Sequence, residues 1–408
     1  MTGQKVSGQQ KEGYMREEKH IYLQGVFTGA LCAALLIVIL AELGIVPLFW
    51  GKGVLKDEKA VRKLETLDQA IDTYYLEEPD EEDLKDGMYY GLVAGLNDPY
   101  SRYYSPEEYK KESQINAGTY VGIGVTVQKT EKGIRIVQCY EGGNADKAGV
   151  KAGDMLLAID GEDVTNSTTD EVVSMIREQG RESAVLTLER EGETAPLELT
   201  VAVSDVNIPV VSGEMLDEDT GYLKIREFST SGVEQFRETL ASLKEQEMKR
   251  LIVDLRNNQG GLVSSVCDIL REILPEGLIV YTEDKNGNRE EETCSGEHPL
   301  DIPLVVLVNH LTASASEIFA GAVQDYGIGT IVGTTTYGKG IVQTIFSMKD
   351  GSAIKLTVAN YYTPNGHNIH KKGITPDVEV ELKDQEEQST GEPYDSQLQE
   401  ALRLLGGK

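Results

Sequence analysis

The spacing of hydrophobic positions changes several times along this chain. Residues 23 to 50 form an almost unbroken apolar run, LQGVFTGALCAALLIVILAELGIVPLFW, whose single charge is Glu42. A helix needs roughly 20 such residues to cross a hydrocarbon core, so the run predicts a membrane span. Between residues 56 and 111 apolar residues recur at helical spacing, in VRKLETLDQAIDTYYL and again in LKDGMYYGLVAGL. The acidic stretch EEPDEEDL between them reads as a solvated loop or a helix start. NDPYSRYYSPEEY then reads as a turn, with Ser105-Pro106 opening another short helix.

From Gly118 the period falls to two. TYVGIGVTVQK, GIRIVQCY and AVLTLER alternate as strands do, punctuated by Gly and Asn. STTDEVVSMIREQG lies between them and predicts an amphipathic helix, from a Ser/Thr cap to Gly180. Residues 119–204 therefore describe a small β-rich module. From Gly221 strands and helices alternate: GYLKIREF, SGVEQFRETLASLKEQ, RLIVDLRNN, LVSSVCDILREIL, IPLVVLVN, SASEIFAGAVQDYG and GTIVGTTT. Near-continuous apolar strands in that order predict a layered α/β fold with buried, largely parallel strands. Beyond Glu381 the chain turns acidic and ends in a predicted helix, QLQEALRLL.

A chain of 408 residues exceeds one ordinary core, which agrees with several domains. The formal net charge of −29, from 68 acidic and 39 basic residues, would repel phosphate backbones and excludes nucleic acid as a partner. Lys5, Lys11, Arg16 and Lys19 precede the apolar run, so residues 1–22 are expected to stay in the cytosol. Phe49 and Trp50 would anchor the far interface. A cleaved signal peptide is the competing reading, but the run is long and lacks a small-x-small cleavage site. An uncleaved anchor is therefore expected, with everything after residue 50 outside. Of the four cysteines, Cys32 lies in the span, and Cys139, Cys267 and Cys294 follow it. Their spacing matches no disulfide framework or zinc site; isolated buried thiols are expected, with a Cys267–Cys294 bridge left open. No metal or cofactor motif is present.

Candidate chemistry lies in three places. In LVNHLTASASEIFAGAVQD a strand ends at Asn309 and a helix begins near Ser316. A serine on such a turn is exposed, and free N–H groups at the helix start could hold an oxyanion. Ser314 and Ser316 both qualify, although a lone S-x-S more often only caps a helix. The five histidines are His20, His298, His310, His367 and His370, and none sits in a pattern that marks it as the base. Lysine is the other base known for serine. Lys339 in GTTTYGKGIVQ has glycines on both sides and apolar Ile341 and Val342 close by, where burial would disfavour its charge. Gly333 to Lys339 also spells G-x-x-x-x-G-K, but Gly340 replaces the Ser or Thr of a phosphate loop and strands follow where a helix is required. The third place is VDLRNNQGGLVSSV, where Gly260 and Gly261 could turn backbone N–H groups toward a ligand. A bland loop explains those glycines nearly as well.

VDLRNNQGG, TASASEIFAGAVQD, GTTTYGKGIVQ and YYTPNGHNIHKKGITPDVEV, in this order, resemble the carboxy-terminal processing proteases, the tail-specific S41-type peptidases. LNDPYSRYYSPEEY and the membrane anchor match that family as well, and the resemblance spans residues 57 to 382. It implies a layered, crotonase/ClpP-like α/β core with a mixed, largely parallel sheet over residues 205–382, and an inserted domain. It places the nucleophile on Ser314, the lysine base on Lys339 and the glutamine that orients it on Gln343. Backbone N–H groups of Gly261 and Ala315 would form the oxyanion hole. TYVGIGV and NADKAGVKAGDMLLAIDGEDV resemble a PDZ domain. N–H groups around Gly122, Ile123 and Gly124 would then capture a terminal carboxylate, and Val172 and Ile176 would line the groove. The family also implies that the helices of residues 56–115 mediate homodimerisation. The expected partners are proteins or peptides with accessible C-termini; the competing expectation is a non-catalytic scaffold that binds C-termini. The tail of residues 383–408 carries no assigned role.

Overall fold

The computed structural model describes residues 53–178, 180–382 and 395–406. The predicted span and cytosolic tail lie outside these residues. Among the described residues no helix is long and apolar enough to cross a membrane. The described residues fall into two compact units, divided after Leu84. The first contains helix α1 (Glu58–Tyr74), whose Asp57 side chain caps the Lys59 N–H at 3.0 Å. It also contains the start of helix α2 (Glu81–Ala94), which opens on three acids as the helix dipole favours.

In the second unit the segment read as a turn holds a short strand, β1 (Arg102–Tyr104), followed by helix α3 (Pro106–Ala117). The predicted cap of α3 is present as a reciprocal box: Glu108 N–H donates to Ser105 Oγ, and Ser105 N–H to Glu108 Oε2. Alternation alone could not reveal β1, because three residues are too few to show a period.

The β-rich module follows. β2 (Thr119–Gly122) is succeeded by β3 (Val125–Thr130), β4 (Gly133–Cys139), helix α4 (Asn144–Lys147), β5 (Met155–Ile159) and β6 (Glu162–Asp163). Then come α5 (Thr169–Ile176), β7 (Ser183–Glu189), β8 (Leu197–Ala202) and β9 (Ser204–Asn207). The sheet order is β3-β4-β5-β7-β8, while β2 pairs with β9 alone. β7 buries Ala184, Leu186 and Leu188 and exposes or half-exposes the residues between, as its alternation predicted. α5 starts at Thr168, which forms a capping box with Glu171, and it ends at Ile176, earlier than Gly180.

The remaining chain builds two sheets. β10 (Val211–Met215), β11 (Thr220–Ile225), helix α6 (Thr230–Glu245), β12 (Arg250–Asp254) and helix α7 (Val263–Arg271) come first. A hairpin of β13 (Gly277–Asp284) and β14 (Arg289–Cys294) follows, then β15 (Leu304–Val308), helix α8 (Ala315–Tyr326) and β16 (Thr330–Gly333). β17 (Ile341–Ser347), β18 (Ala353–Tyr362), β19 (Val378–Glu379) and helix α9 (Ser396–Leu404) complete it. One sheet runs β10-β11-β12-β15-β16-β19, parallel except for β10 at its edge. The other runs β1-β18-β13-β14, with β17 antiparallel to β18.

Alternating residues of the parallel strands feed two different cores. Leu251, Val253, Leu304, Val306 and Ile331 face the cluster built with α6, α7 and α8. Ile252, Val305, Leu307 and Val332 face Ala401 of α9, with Leu398 and Leu402 packed alongside. Both faces are covered, which is why these strands read as continuous apolar runs. Cys267 and Cys294 are both buried free thiols, and burial pushes Cys267 up to about 12.

Candidate active site

Parallel strand β15 delivers the chain to a turn over residues 309–314, after which α8 begins. Ser314 is the residue before the helix, and its φ of 57° with ψ of −119° lies where a non-glycine residue rarely sits. Such a conformation costs about 1–3 kcal/mol and persists only when its surroundings hold it. The holding groups are explicit. Ser314 N–H donates to Glu317 Oε2 at 2.8 Å, and its carbonyl accepts the Tyr361 hydroxyl at 3.0 Å. One residue earlier, Ala313 N–H bonds the Asn258 carbonyl at 3.1 Å. Ser316 Oγ bonds the same carbonyl at 3.0 Å, so the second serine is structural.

The twin-glycine loop abuts this turn. Gly260 has φ of 111°, and a Cβ there would lie 2.8 Å from Ser314 Cβ and 3.0 Å from Ala315 N. Only glycine lets the loop come this close. Gly260 N–H is consumed by Asn258 Oδ1 at 2.9 Å. Among the described residues the N–H groups of Gly261 and Ala315, the expected oxyanion donors, have no protein acceptor. They remain available to a ligand.

The lysine loop is tied to the same turn. Glu317 has no solvent exposure, and its carboxylate accepts four hydrogen bonds. Ser314 N–H and Lys339 N–H meet Oε2 at 2.8 Å each; Thr336 Oγ1 and Gly338 N–H meet Oε1 at 2.5 and 2.7 Å. One buried anion thus fixes the relative position of the serine and lysine backbones. The reading of the sequence missed this role, although Ser314 and Glu317 stand at capping-box spacing, a signal that was there to be used. The glycines flanking Lys339 behave as predicted. A Cβ on Gly338 would lie 2.9 Å from the Gly373 and Lys372 nitrogens, and one on Gly340 2.5 Å from the His370 nitrogen.

Burial holds the Lys339 amine below the ordinary lysine value, and the nearby Lys355 charge lowers it further; Asp98 and Glu317 oppose the shift. Among the described residues Lys339 Nζ makes no hydrogen bond to Ser314 or to Gln343. It sits instead over the ring of Tyr100, 4.6 Å from the centroid. Gln343 Nε2 donates to the Ile341 carbonyl at 3.5 Å and to Thr357 Oγ1 at 3.3 Å. No histidine is hydrogen-bonded to Ser314 among the described residues. His367 faces Asp325 at 3.5 Å, and His310 is exposed.

In the β-rich module a cavity of about 320 Å³ is lined by Gly122, Ile123, Val125, Val172, Ile176 and Arg177. The loop that follows β2 is fixed from behind: Ala145 N–H bonds the Ile123 carbonyl at 2.8 Å, and Tyr140 N–H bonds that of Gly124 at 2.9 Å. The exposed edge of β3 and helix α5 bound the groove, as a strand-adding peptide requires.

Residues 219–380 match the model of peptidase family S41, and residues 135–190 match that of a PDZ domain. Residues 51–108 match a third, described as the activating protease CtpB N-terminal domain. A carboxyl-terminal-processing protease of Synechocystis sp. is 38% identical over 322 residues, covering 78% of this chain and 75% of that protein. The chain belongs to peptidase family S41. It is therefore a serine-type peptidase that carries a PDZ domain, and the scaffold reading falls away. The carboxy-terminal processing protease CtpA of Bacillus subtilis is 32% identical over 371 residues, 91% of this chain and 79% of that one. The solved photosystem II D1 C-terminal processing protease is similar at 27% identity and a TM-score of 0.47, over 80% of this chain and 89% of that chain.

Proposed function

We propose that this S41 peptidase is a membrane-anchored endopeptidase that uses Ser314 and Lys339 as nucleophile and base. Neutral Lys339 takes the Ser314 hydroxyl proton as Oγ attacks a peptide carbonyl carbon. The tetrahedral oxyanion is received by the N–H groups of Gly261 and Ala315. The amine leaving group departs with a proton from Lys339, and water hydrolyses the acyl-enzyme by the same route. Gln343 would orient the amine after Lys339 leaves the Tyr100 ring. The observation that carries this reading is the Glu317 carboxylate, which ties the Ser314 and Lys339 backbones together in a turn with two unengaged N–H groups.

Protein C-termini would enter through the PDZ groove, with their carboxylate at Gly122, Ile123 and Gly124 and a side chain against Val172 and Ile176. The apolar run of residues 23–50 would anchor the chain with its N-terminus in the cytosol, which puts the peptidase outside. The full chain in detergent, assayed on fluorescein-labelled casein with mass spectrometry of the products, tests the reading. Cleavage by the wild type, and none by Ser314→Ala or Lys339→Ala of unchanged thermal stability, supports it. Wild-type rates from Lys339→Ala would end the lysine assignment.

A further inference from the structure

The segment ahead of the PDZ module reaches the lysine. Asp98 and Tyr100 belong to LNDPYSRYY, which is brought to the S41 core by the pairing of β1 with β18, Arg102 opposite Lys355. Tyr100 presents its ring face to Lys339 Nζ at 4.6 Å, and its hydroxyl lies 3.4 Å from that of Tyr337, two residues before the lysine. Four side chains bearing on the ammonium come from three places: Asp98 and Tyr100, Glu317 of α8, and Lys355 of β18. Asp98 is not a simple counter-ion, because its carboxylate is occupied by Ser101 Oγ at 2.6 Å and the Tyr100 N–H at 3.1 Å. Lys355 is engaged by Glu112 at 2.8 Å.

We infer that Tyr100 is a positioning residue of the reaction: its ring seats the Lys339 amine and keeps water from it. The inference rests on the proposed role of Lys339 as base. An aromatic face suits this task better than a carboxylate. It attracts the ammonium through its π face, yet offers no acceptor that would hold the proton. It also excludes water, which would otherwise solvate the cation and return the amine to its ordinary value. The hydroxyl contact with Tyr337 and burial raise the Tyr100 phenol to about 12, so it stays neutral and is no competing base near pH 7. The contact joins the segment to the lysine loop and leaves the ring as the working part.

The test is the pH profile of kcat/KM on fluorescein-labelled casein, with full-length wild type, Tyr100→Ala, Tyr100→Phe and Lys339→Ala assayed in detergent. Tyr100→Ala admits water, so its acid limb is expected to move up by about one pH unit, with roughly tenfold loss of rate at pH 7. Tyr100→Phe restores the ring and is expected to recover most of that loss and return the limb to its wild-type position. A wild-type limb in Tyr100→Ala overturns the inference, as does a Phe variant that behaves like Ala, since that would assign the effect to the hydroxyl. If Tyr100→Ala does not fold, Tyr100→Leu replaces it. Leucine keeps water out but lacks the π face, so its limb should move to lower pH; an unmoved limb again overturns the inference. An inactive Lys339→Ala beside unaltered Tyr100 variants defeats only this inference. An active Lys339→Ala defeats the lysine reading beneath it.

Discussion

Replacing Glu317 by glutamine changes one oxygen for an NH₂ group and leaves the volume almost unchanged. The wild-type carboxylate accepts four hydrogen bonds, two at each oxygen. An amide oxygen can keep one of these pairs. The least damaging orientation keeps the Ser314 and Lys339 N–H groups on the oxygen and turns NH₂ toward Thr336 and Gly338. The Thr336 hydroxyl can rotate to accept, but the Gly338 N–H then faces a donor and is stranded. A buried stranded donor costs about 1–3 kcal/mol, and the surviving bonds weaken from charge-assisted to neutral. Relief from burying a charge offsets part of this, leaving a net loss of about 3 kcal/mol. At roughly 2–4 °C per kcal/mol, the melting temperature should fall by roughly 6–12 °C. Because the anion also holds the serine and lysine backbones together, kcat should fall by about 100-fold with KM little changed. The sign of a third effect is set by charge: Glu317 favours the Lys339 ammonium, so losing it moves the acid limb of the rate profile to lower pH. Differential scanning fluorimetry and the casein assay on the full chain read all three. A Glu317→Gln variant with wild-type melting and wild-type kcat would refute the idea that this carboxylate organises the site.

Other expectations follow from the same geometry. Lys339→Arg should be inactive at every pH between 6 and 10 in the casein assay, because a guanidinium does not become neutral there. For stability, the Lys339 amine sits lower in the fold than in the unfolded chain, so the unfolded state binds more protons and stability rises with pH through that window. Lys339→Met should accordingly raise the melting temperature at pH 7 while abolishing activity; a lower melting temperature would contradict the burial argument. Gly260→Ala puts a methyl 2.8 Å from the Ala313 carbonyl and Ser314 Cβ at φ of 111°, and should give an inactive protein with lowered melting temperature. For the PDZ groove, fluorescence anisotropy should show a C-terminal peptide with a free carboxylate binding at least tenfold tighter than its C-terminal amide. Equal binding would remove the carboxylate role from Gly122, Ile123 and Gly124.

How much of this was legible beforehand depends on the distance over which each feature is built. Apart from β13 and β14, periodicity gave the strands and helices from Gly221 to Gly333, because each buries one face or both and the pattern records it. Local grammar gave the Ser105-Pro106 helix start, the twin glycines and the glycine-packed lysine, since caps and close backbone approaches demand particular residues within a few positions. The hairpin of β13 and β14 went unpredicted even though Asn286-Gly287 marks its turn. What no local pattern carries is which loops meet. Glu317 joins Ser314 to a loop more than twenty residues on, and Tyr100 reaches Tyr337 across 237 residues. The second face of the parallel sheet is closed by α9, a helix that its own sequence describes only as amphipathic. Residue types and their spacing establish the elements, the side chains able to do the chemistry and the family they belong to. Tertiary structure alone decided that a buried carboxylate and an aromatic ring surround the catalytic candidates, because burial and proximity come from strand order and sheet packing, not from neighbours in the chain.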